Sequence, residues 1–192
     1  MKICFASNNR NKIREFSEML SNSCNIVSLS DLNITEDIPE TGHTLEENSR
    51  IKARYVFDKH AIPVFADDSG LLVEALNGEP GVYSARYAGP EKDNEKNIDL
   101  LLKKLERTQN RKAKFKTVIT LIEESGSEFQ FEGSIHGTII KNRKGNGGFG
   151  YDPIFTPNGY NSTFAEMEPK EKNKVSHRFK AAKKLMMHLT NK

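Results

Sequence analysis

The sequence predicts an α/β fold, because short apolar runs of strand length alternate with segments of helical periodicity. Residues 2–6 (KICFA) form the first such run, and residues 12–20 then repeat apolar side chains on one helical face. A capping-box pattern begins a second helix over 44–60, and a buried strand follows at 64–66. The length of 192 residues indicates one domain, 1–192, with room for two lobes.

Later elements follow the same two periodicities. In chain order they are a strand at 25–30, a loop at 31–42, a helix at 91–107, hairpin strands at 115–122 and 128–136, a short strand at 138–141, a return to strand at 154–155, a polar connection at 163–169 and a last helix capped by Ser176.

Composition excludes several classes of protein. The net charge of +3 is too small to indicate a nucleic-acid or membrane partner, and no apolar run approaches the 18 residues of a membrane span. Cys4 and Cys24 lack the spacing of a metal or redox motif, which favours a reducing compartment and a cytoplasmic location. The basic cluster at 103–116 is interpreted as a solvated face, because aromatic residues are missing from it before Phe115.

An acidic pair, Asp67 and Asp68, follows the apolar run 64–66 and precedes Ser69 and Gly70. We interpret this as a strand end followed by a flexible turn. Two adjacent carboxylates resist sharing a pocket unless a cation neutralises them, and carboxylate oxygens suit Mg²⁺. The alternative is a solvated turn in which one of the two aspartates caps the next segment.

The polar loop after the first strand joins a strand end to a helix start. Backbone N–H groups and the positive end of the helix dipole meet at such a junction, which makes it a natural phosphate site. Lys12 would add a point charge and Asn9 an adaptable donor. The alternative is that Ser7 or Asn9 is simply an N-cap.

In the second helix, Asn48 and Lys52 lie one turn apart on a common stripe. That stripe faces either the edge of the core or a functional site, and the sequence leaves both interpretations open.

A glycine-rich loop at 145–153 contains four glycines in six residues, which permits close approach of the backbone to a ligand. Phe149 could stack on a base and Asp152 could accept a hydrogen bond from a base or ribose. The alternative is a flexible hairpin tip with Phe149 packed into the core.

Two cationic side chains, His177 and Arg178, begin the last helix, where they oppose the helix dipole. This mismatch indicates an anionic or carbonyl-bearing partner, although Glu166 or Glu168 would also explain it.

Six motifs occur in a fixed order: SNNRNK (7–12), ETG (40–42), FADDSG (65–70), PGVYSARYAG (80–89), GGFGYDPIF (147–155) and SHR (176–178). Together they resemble the house-cleaning nucleoside-triphosphate pyrophosphatases that hydrolyse ITP, dITP and XTP. The resemblance covers essentially the whole chain. It implies an elongated mixed β-sheet flanked by helices in two lobes with a cleft between them, a homodimer, and Mg²⁺-dependent release of pyrophosphate from a purine nucleoside triphosphate.

The resemblance also implies roles for individual residues. The triphosphate would be held by Ser7, Asn8, Asn9, Arg10, Asn11 and Lys12. Glu40 and Asp68 would bind the metal, Asp68 would accept a proton, and Lys52 would join Lys12 on the phosphate side. Further substrate contacts would come from Ser69, Phe149, Gly150, Tyr151, Asp152, Lys172, His177 and Arg178.

Three other functions remain open from the sequence. The same fold could hydrolyse modified pyrimidine nucleotides, or a non-catalytic regulator could bind a nucleotide without turnover. An RNA-binding protein could use the basic cluster at 103–116, and steep salt dependence would reveal it.

Overall fold

The computed structural model describes residues 2–21 and 24–191, which form a six-stranded mixed sheet with flanking helices. Its elements are β1 (Lys2–Phe5), α1 (Arg10–Leu20), β2 (Asn25–Val27), α2 (Leu45–His60), β3 (Val64–Val73), α3 (Asn94–Lys104), β4 (Lys112–Ile122), β5 (Glu128–Ile139), β6 (Phe155–Pro157), α4 (Pro169–Val175) and α5 (His177–Thr190). The strand order is β2-β1-β3-β4-β5-β6. Strand β1 is parallel to β2 and β3, and β6 is antiparallel to β5, so the predicted α/β class with a mixed sheet is confirmed.

The chain divides into two compact units. Unit 1 contains the described residues of Met1–Asp68, Thr117–Gly133 and Arg178–Lys192, and unit 2 contains Ser69–Lys116 and Ser134–His177. Within the described ranges, no helix is both long enough and apolar enough to cross a bilayer.

In unit 1, β1 and β3 bury both of their faces, as parallel strands covered by helices must. On one face Phe5 stacks on Phe65 with ring centroids 4.6 Å apart, and Phe16 of α1 packs edge-on against Phe5. On the other face the alternate residues of both strands pack beside Val56 of α2. Phe5 pairs in register with Phe65, so the residues after β1 lie beside the acidic pair.

Strand β3 corrects the predicted turn at the acidic pair. It continues through Asp67, Asp68, Ser69 and Gly70 to Val73 without a break. Gly70 is required by close packing and not by a bend, because a Cβ there would lie 2.4 Å from the carbonyl oxygen of Gly81. The carboxylates therefore project from the middle of a rigid strand.

Unit 2 buries one apolar cluster, which contains Leu71, Phe115, Phe155 and Phe164. Strand β5 runs to Ile139, so the separate strand predicted at 138–141 is wrong. The residue between the two predicted pieces is Gly137, where a Cβ would lie 2.4 Å from the carbonyl oxygen of Thr156 in β6.

Two helices differ from the sequence interpretation. Helix α1 begins at Arg10, two residues earlier than predicted, because Asn9 caps it with its side chain. The charged run after Pro169 forms the short helix α4, whereas the sequence indicated only a charged connection. Strand β2 and helix α3 are shorter than predicted.

The capping box of α2 is confirmed. The side chain of Thr44 accepts a hydrogen bond from the backbone of Glu47, and the Glu47 carboxylate accepts one from the backbone of Thr44. We expect Thr44→Ala to lower the free energy of unfolding by about 1 kcal/mol, because it leaves an N-terminal backbone donor of α2 without this acceptor. Urea unfolding measures the change. Thr190→Ala, which removes an exposed hydroxyl in the last turn of α5, is the control, and an equal loss in both variants would contradict the prediction.

Candidate active site

Five charged side chains of unit 1 come from one strand, two helices and one loop and form what we name the carboxylate–lysine cluster. Its members are Glu40, Asp67, Asp68, Lys12 and Lys52. Strand β3 supplies the two aspartates, the first turn of α1 supplies Lys12, α2 supplies Lys52, and the loop before α2 supplies Glu40.

The two aspartates point to opposite faces of β3, as successive residues of a strand do. Asp67 lies on the side of α1, where its Oδ2 is 2.9 Å from Nζ of Lys12. Asp68 lies on the side of α2, where its Oδ1 is 3.5 Å from Nζ of Lys52. The same ammonium group of Lys52 is 2.6 Å from Oε1 of Glu40. The two lysines thus reach the acidic pair from opposite faces of β3.

The cluster carries more negative than positive charge, since three carboxylates face two ammonium groups among its members. Burial would raise the pKa of Asp67, but Lys12, Lys52 and Arg178 outweigh it and hold that pKa below its ordinary value. Burial raises the pKa of Asp68, with Glu40 and Asp67 adding to it against the opposing lysines. Burial would lower the pKa of Lys52, but its carboxylate partners raise it, so this lysine stays charged. Of the two aspartates, Asp68 is therefore the one whose ionised form is disfavoured.

The donor set of the cluster fits a divalent cation. In the described part of the chain no group of three metal-ligating side chains is assembled, but Mg²⁺ takes one or two carboxylates together with substrate phosphates. Glu40 and Asp68 already share one cationic group, the ammonium of Lys52, so both carboxylates are arranged around positive charge. A bound cation would also offset the excess negative charge of the cluster.

The loop after β1 is closed by its own side chains. Asn9 Oδ1 accepts hydrogen bonds from the backbone N–H groups of Asn11 and Lys12, and Ser7 Oγ accepts one from Asn9. The N-cap interpretation of Asn9 is thus observed, and its side chain occupies the backbone N–H groups of Asn11 and Lys12. Asn8 Nδ2 lies 3.5 Å from Asp37, and Arg10 is exposed.

Arg178 begins α5 inside unit 1. Its Nε donates to the carboxylate of Glu15 in α1, and both side chains are buried. Within unit 1 this cation pairs with Glu15, a partner that the sequence analysis did not name.

Unit 2 holds a second polar group, built on Asp152. Its Oδ2 accepts hydrogen bonds from Nζ of Lys172 at 2.7 Å and from the backbone of Phe149 at 2.8 Å. Nζ of Lys172 also lies 5.0 Å from the ring centroid of Phe149. Gly148 has a φ of +72°, and a Cβ there would lie 2.0 Å from Asp152 Oδ2, so this loop folds only with glycine at that position.

Two more predicted site residues lie in unit 2. The ring of His177 stacks on Phe115 with centroids 4.8 Å apart, and His177 is buried. The hydroxyl of Tyr151 donates to the carbonyl oxygen of Ser84 at 2.9 Å, and burial raises the pKa of this phenol. Ser69 and Gly150 are half-buried.

The structure thus gathers the predicted site residues into two groups, one in each unit. Unit 1 contains residues 7–12, Glu40, Lys52, Asp68 and Arg178, and unit 2 contains the other predicted substrate contacts. The sequence analysis did not foresee the pairing of Asp67 with Lys12, nor the contacts of Asn48 with the cluster. The stripe shared by Asn48 and Lys52 was the available signal for the second of these.

An α/β fold with buried carboxylates and ammonium groups around a central strand defines a class of proteins suited to bind anions and divalent cations. The Ham1 family model matches residues 3–188. The dITP/XTP pyrophosphatase of Flavobacterium johnsoniae is 53% identical over 190 residues, which cover 99% of this chain and 98% of that protein. The chain belongs to the Ham1 family, as the six motifs predicted.

Solved structures agree with this assignment. The Ham1 protein of Staphylococcus aureus superposes with a TM-score of 0.91 at 40% identity, covering 100% of this chain and 99% of the other. A HAM1 protein from Coxiella burnetii gives a TM-score of 0.92 at 38% identity, covering 100% of both chains.

Proposed function

We propose that this protein hydrolyses non-canonical purine nucleoside triphosphates (ITP, dITP and XTP) to the monophosphate and pyrophosphate, which removes deaminated purine nucleotides from the precursor pool. The observation that carries the proposal is the meeting of the buried Asp68 and Lys52 with the partly exposed Glu40 in one cluster of a Ham1-family chain. The relatives named dITP/XTP pyrophosphatase support the substrate class.

In the proposed reaction a water oxygen attacks the α-phosphorus, and the bond between the α-phosphorus and its bridging oxygen to the β-phosphorus breaks. Pyrophosphate leaves with the bridging oxygen and its electron pair. Asp68 accepts a proton from the attacking water as a general base. Lys52 and Lys12 stabilise the negative charge that develops on the leaving group.

Mg²⁺ is the proposed cofactor, and Glu40 and Asp68 are the residues that would hold it. When bound, Mg²⁺ would neutralise phosphate charge and lower the pKa of a coordinated water. The fit of the two carboxylates around the ammonium group of Lys52 supports this assignment.

Phosphate binding is assigned to the loop after β1. The proposed contacts are Ser7, Asn8, Asn9, Arg10, Asn11 and Lys12, which the motif resemblance implies. The first turn of an 11-residue helix adds its dipole to this position.

Base recognition is assigned to Lys172, His177 and Arg178, with Ser69 and residues 149–152 as further contacts. Inosine and xanthosine present a 6-oxo acceptor, whereas adenine presents a 6-amino donor. Lys172 and Arg178 can only donate hydrogen bonds. A buried donor that faces the adenine amino group loses its partner, which costs about 1–3 kcal/mol, and more for a charged donor.

We expect Arg178→Ala to raise KM for ITP and to shrink the ratio of kcat/KM for ITP over ATP by about 5- to 150-fold, the equivalent of 1–3 kcal/mol. Steady-state kinetics with both nucleotides measure the ratio. Because the alanine variant leaves Glu15 buried without its cation, Arg178→Lys, which keeps a positive charge, is the companion variant. An unchanged ratio in both folded variants contradicts the assignment.

The family resemblance also supports a homodimer. Cysteine usage favours the cytoplasm, and the net charge of +3 does not favour a nucleic-acid or membrane partner. Light scattering coupled to size-exclusion chromatography tests the dimer. A monomeric mass for active enzyme contradicts it.

A panel of nucleoside triphosphates with and without Mg²⁺, scored for pyrophosphate against orthophosphate, tests the function. We expect pyrophosphate from ITP, dITP and XTP only when Mg²⁺ is present. Faster turnover of modified pyrimidine nucleotides would assign the enzyme to pyrimidines, and binding without turnover would support a regulator.

A further inference from the structure

Asn48 is a fully buried amide on α2, four residues before Lys52. Its Nδ2 donates to Oδ2 of Asp68 at 3.2 Å, and its Oδ1 accepts from the backbone N–H of Gly42 at 2.8 Å. Both ends of the amide are therefore used, one on the acidic pair and one on the loop that carries Glu40.

Lys52 repeats this pattern one helical turn later. Its ammonium contacts Oδ1 of Asp68 and the carboxylate of Glu40. Helix α2 thus contacts both oxygens of Asp68 through side chains at i and i+4, and each of those side chains also holds loop 40–42. The two contacts differ in kind, since one comes from a cation and the other from a neutral amide.

The contact between loop 40–42 and α2 leaves no free space. A Cβ on Gly42 would lie 2.6 Å from Cβ of Glu47 and 2.8 Å from Oδ1 of Asn48. The backbone of the loop is therefore fixed to α2 at the residue that also contacts Asp68, so a shift of one changes the other.

We infer that Asn48 is a positioning residue for the proposed hydrolysis, which orients the Asp68 carboxylate and fixes loop 40–42, and with it Glu40, to the same helix. The inference rests on the proposed function. Asn48 acts through Asp68 and Gly42 and does not itself accept a proton. A neutral donor suits the position, because it hydrogen-bonds one oxygen of Asp68 without adding a second positive charge beside that of Lys52.

Asn48→Ala is expected to lower kcat for ITP by about 10- to 100-fold, the usual effect of removing a group that orients a catalytic ligand, with KM changed less than about 3-fold. In the Asp68→Asn background the same substitution should lower kcat less than about 3-fold further, because the side chain that Asn48 orients no longer acts as a base. If Asn48→Ala lowers kcat by the same factor in the wild type and in Asp68→Asn, the inference is overturned.

Asn48→Asp separates the two hydrogen bonds. It keeps the volume and the acceptor for Gly42 but removes the donor to Asp68, and we expect a loss in kcat at least as large as that of Asn48→Ala. If Asn48→Ala does not fold, Asn48→Asp takes its place in the comparison with Asp68→Asn. Activity retained in Asn48→Asp would show that Asn48 only fills space and holds the loop, which overturns the inference.

Asn97 offers a matched control, because it is also a buried asparagine with both ends bonded, in its case to the backbone of Ala88 and Ala85 in unit 2. Asn97→Ala should cost similar stability and leave kcat within about 3-fold. Urea unfolding of the wild type, Asn48→Ala, Asp68→Asn and the double variant, without nucleotide or metal, gives a readout that is independent of activity. The losses in free energy of unfolding should also be non-additive. A wild-type protein that releases no pyrophosphate from ITP contradicts the proposed function, whereas an active wild type with the same factor in both backgrounds contradicts only the role of Asn48.

Discussion

Asp68→Asn is expected to lower kcat for ITP hydrolysis by about 10²–10⁴-fold while the fold persists. The amide is isosteric with the carboxylate but cannot accept the proton of the attacking water. Because burial, with Glu40 and Asp67, already raises the pKa of Asp68 and disfavours its charged form, its neutralisation should not lower stability sharply. Pyrophosphate release at saturating ITP and Mg²⁺ measures the effect.

The matched control for this variant is Asp58→Asn, which makes the same chemical change on an exposed position of α2. Its kcat should stay within about 2-fold of the wild type, because surface changes away from the site rarely matter. A near-normal kcat in a folded Asp68→Asn protein would remove the general-base assignment, and Asp67 would then be the next carboxylate to test.

Local rules predicted the elements whose signals lie within one turn of the chain. The capping box of Thr44 and Glu47, for example, predicted the start of α2. The family resemblance came from short motifs in order, and the Ham1 match confirms it. What these signals share is that each depends on neighbours close in sequence.

The elements that the sequence predicted wrongly depend on contacts between residues distant in sequence. Gly70 resembles a turn residue, yet it lies in an extended strand because the carbonyl of Gly81 packs against it. Gly137 similarly continues β5, because β6 and the ring of Phe155 leave no space for a side chain. A glycine chosen for close approach and a glycine chosen for a bend look the same in a sequence.

The sequence also could not predict which lysine of the cluster pairs with which aspartate. The family resemblance assigned Lys12, Lys52 and Asp68 to one site, but only the continuous strand shows that the two lysines pair with different aspartates. That division follows from the alternation of side chains along β3 once no turn interrupts it. It makes Lys52 the cation most closely tied to the proposed chemistry.

Lys52→Met is expected to lower the free energy of unfolding by about 3–5 kcal/mol, because it removes the cation between two carboxylates and leaves the buried Asp68 without it. The same change should lower kcat by about 10²-fold or more, since a charge that stabilises the leaving group is lost. Lys59→Met is the control on the same helix. Lys59 also pairs with a glutamate, Glu36, but both side chains are about half exposed, so its loss should cost no more than about 1 kcal/mol.

Lys52→Met should also change how tightly the protein binds Mg²⁺. Without the ammonium group of Lys52, Glu40 and Asp68 present more uncompensated negative charge, so Mg²⁺ should bind the Lys52→Met protein more tightly than the wild type in the absence of nucleotide. A ligand that binds only the folded state stabilises it by about 2.7 kcal/mol at 100 times its Kd, so Mg²⁺ should raise the melting temperature of the variant more than that of the wild type. The deficit in the free energy of unfolding should also shrink as pH falls. Lys52 opposes the raised pKa of Asp68 in the wild type, so its removal raises that pKa further, and the folded variant takes up a proton before the unfolded chain does. Equal Mg²⁺ shifts in the two proteins, with a deficit independent of pH, would mean that Lys52 does not share its carboxylates with a metal site.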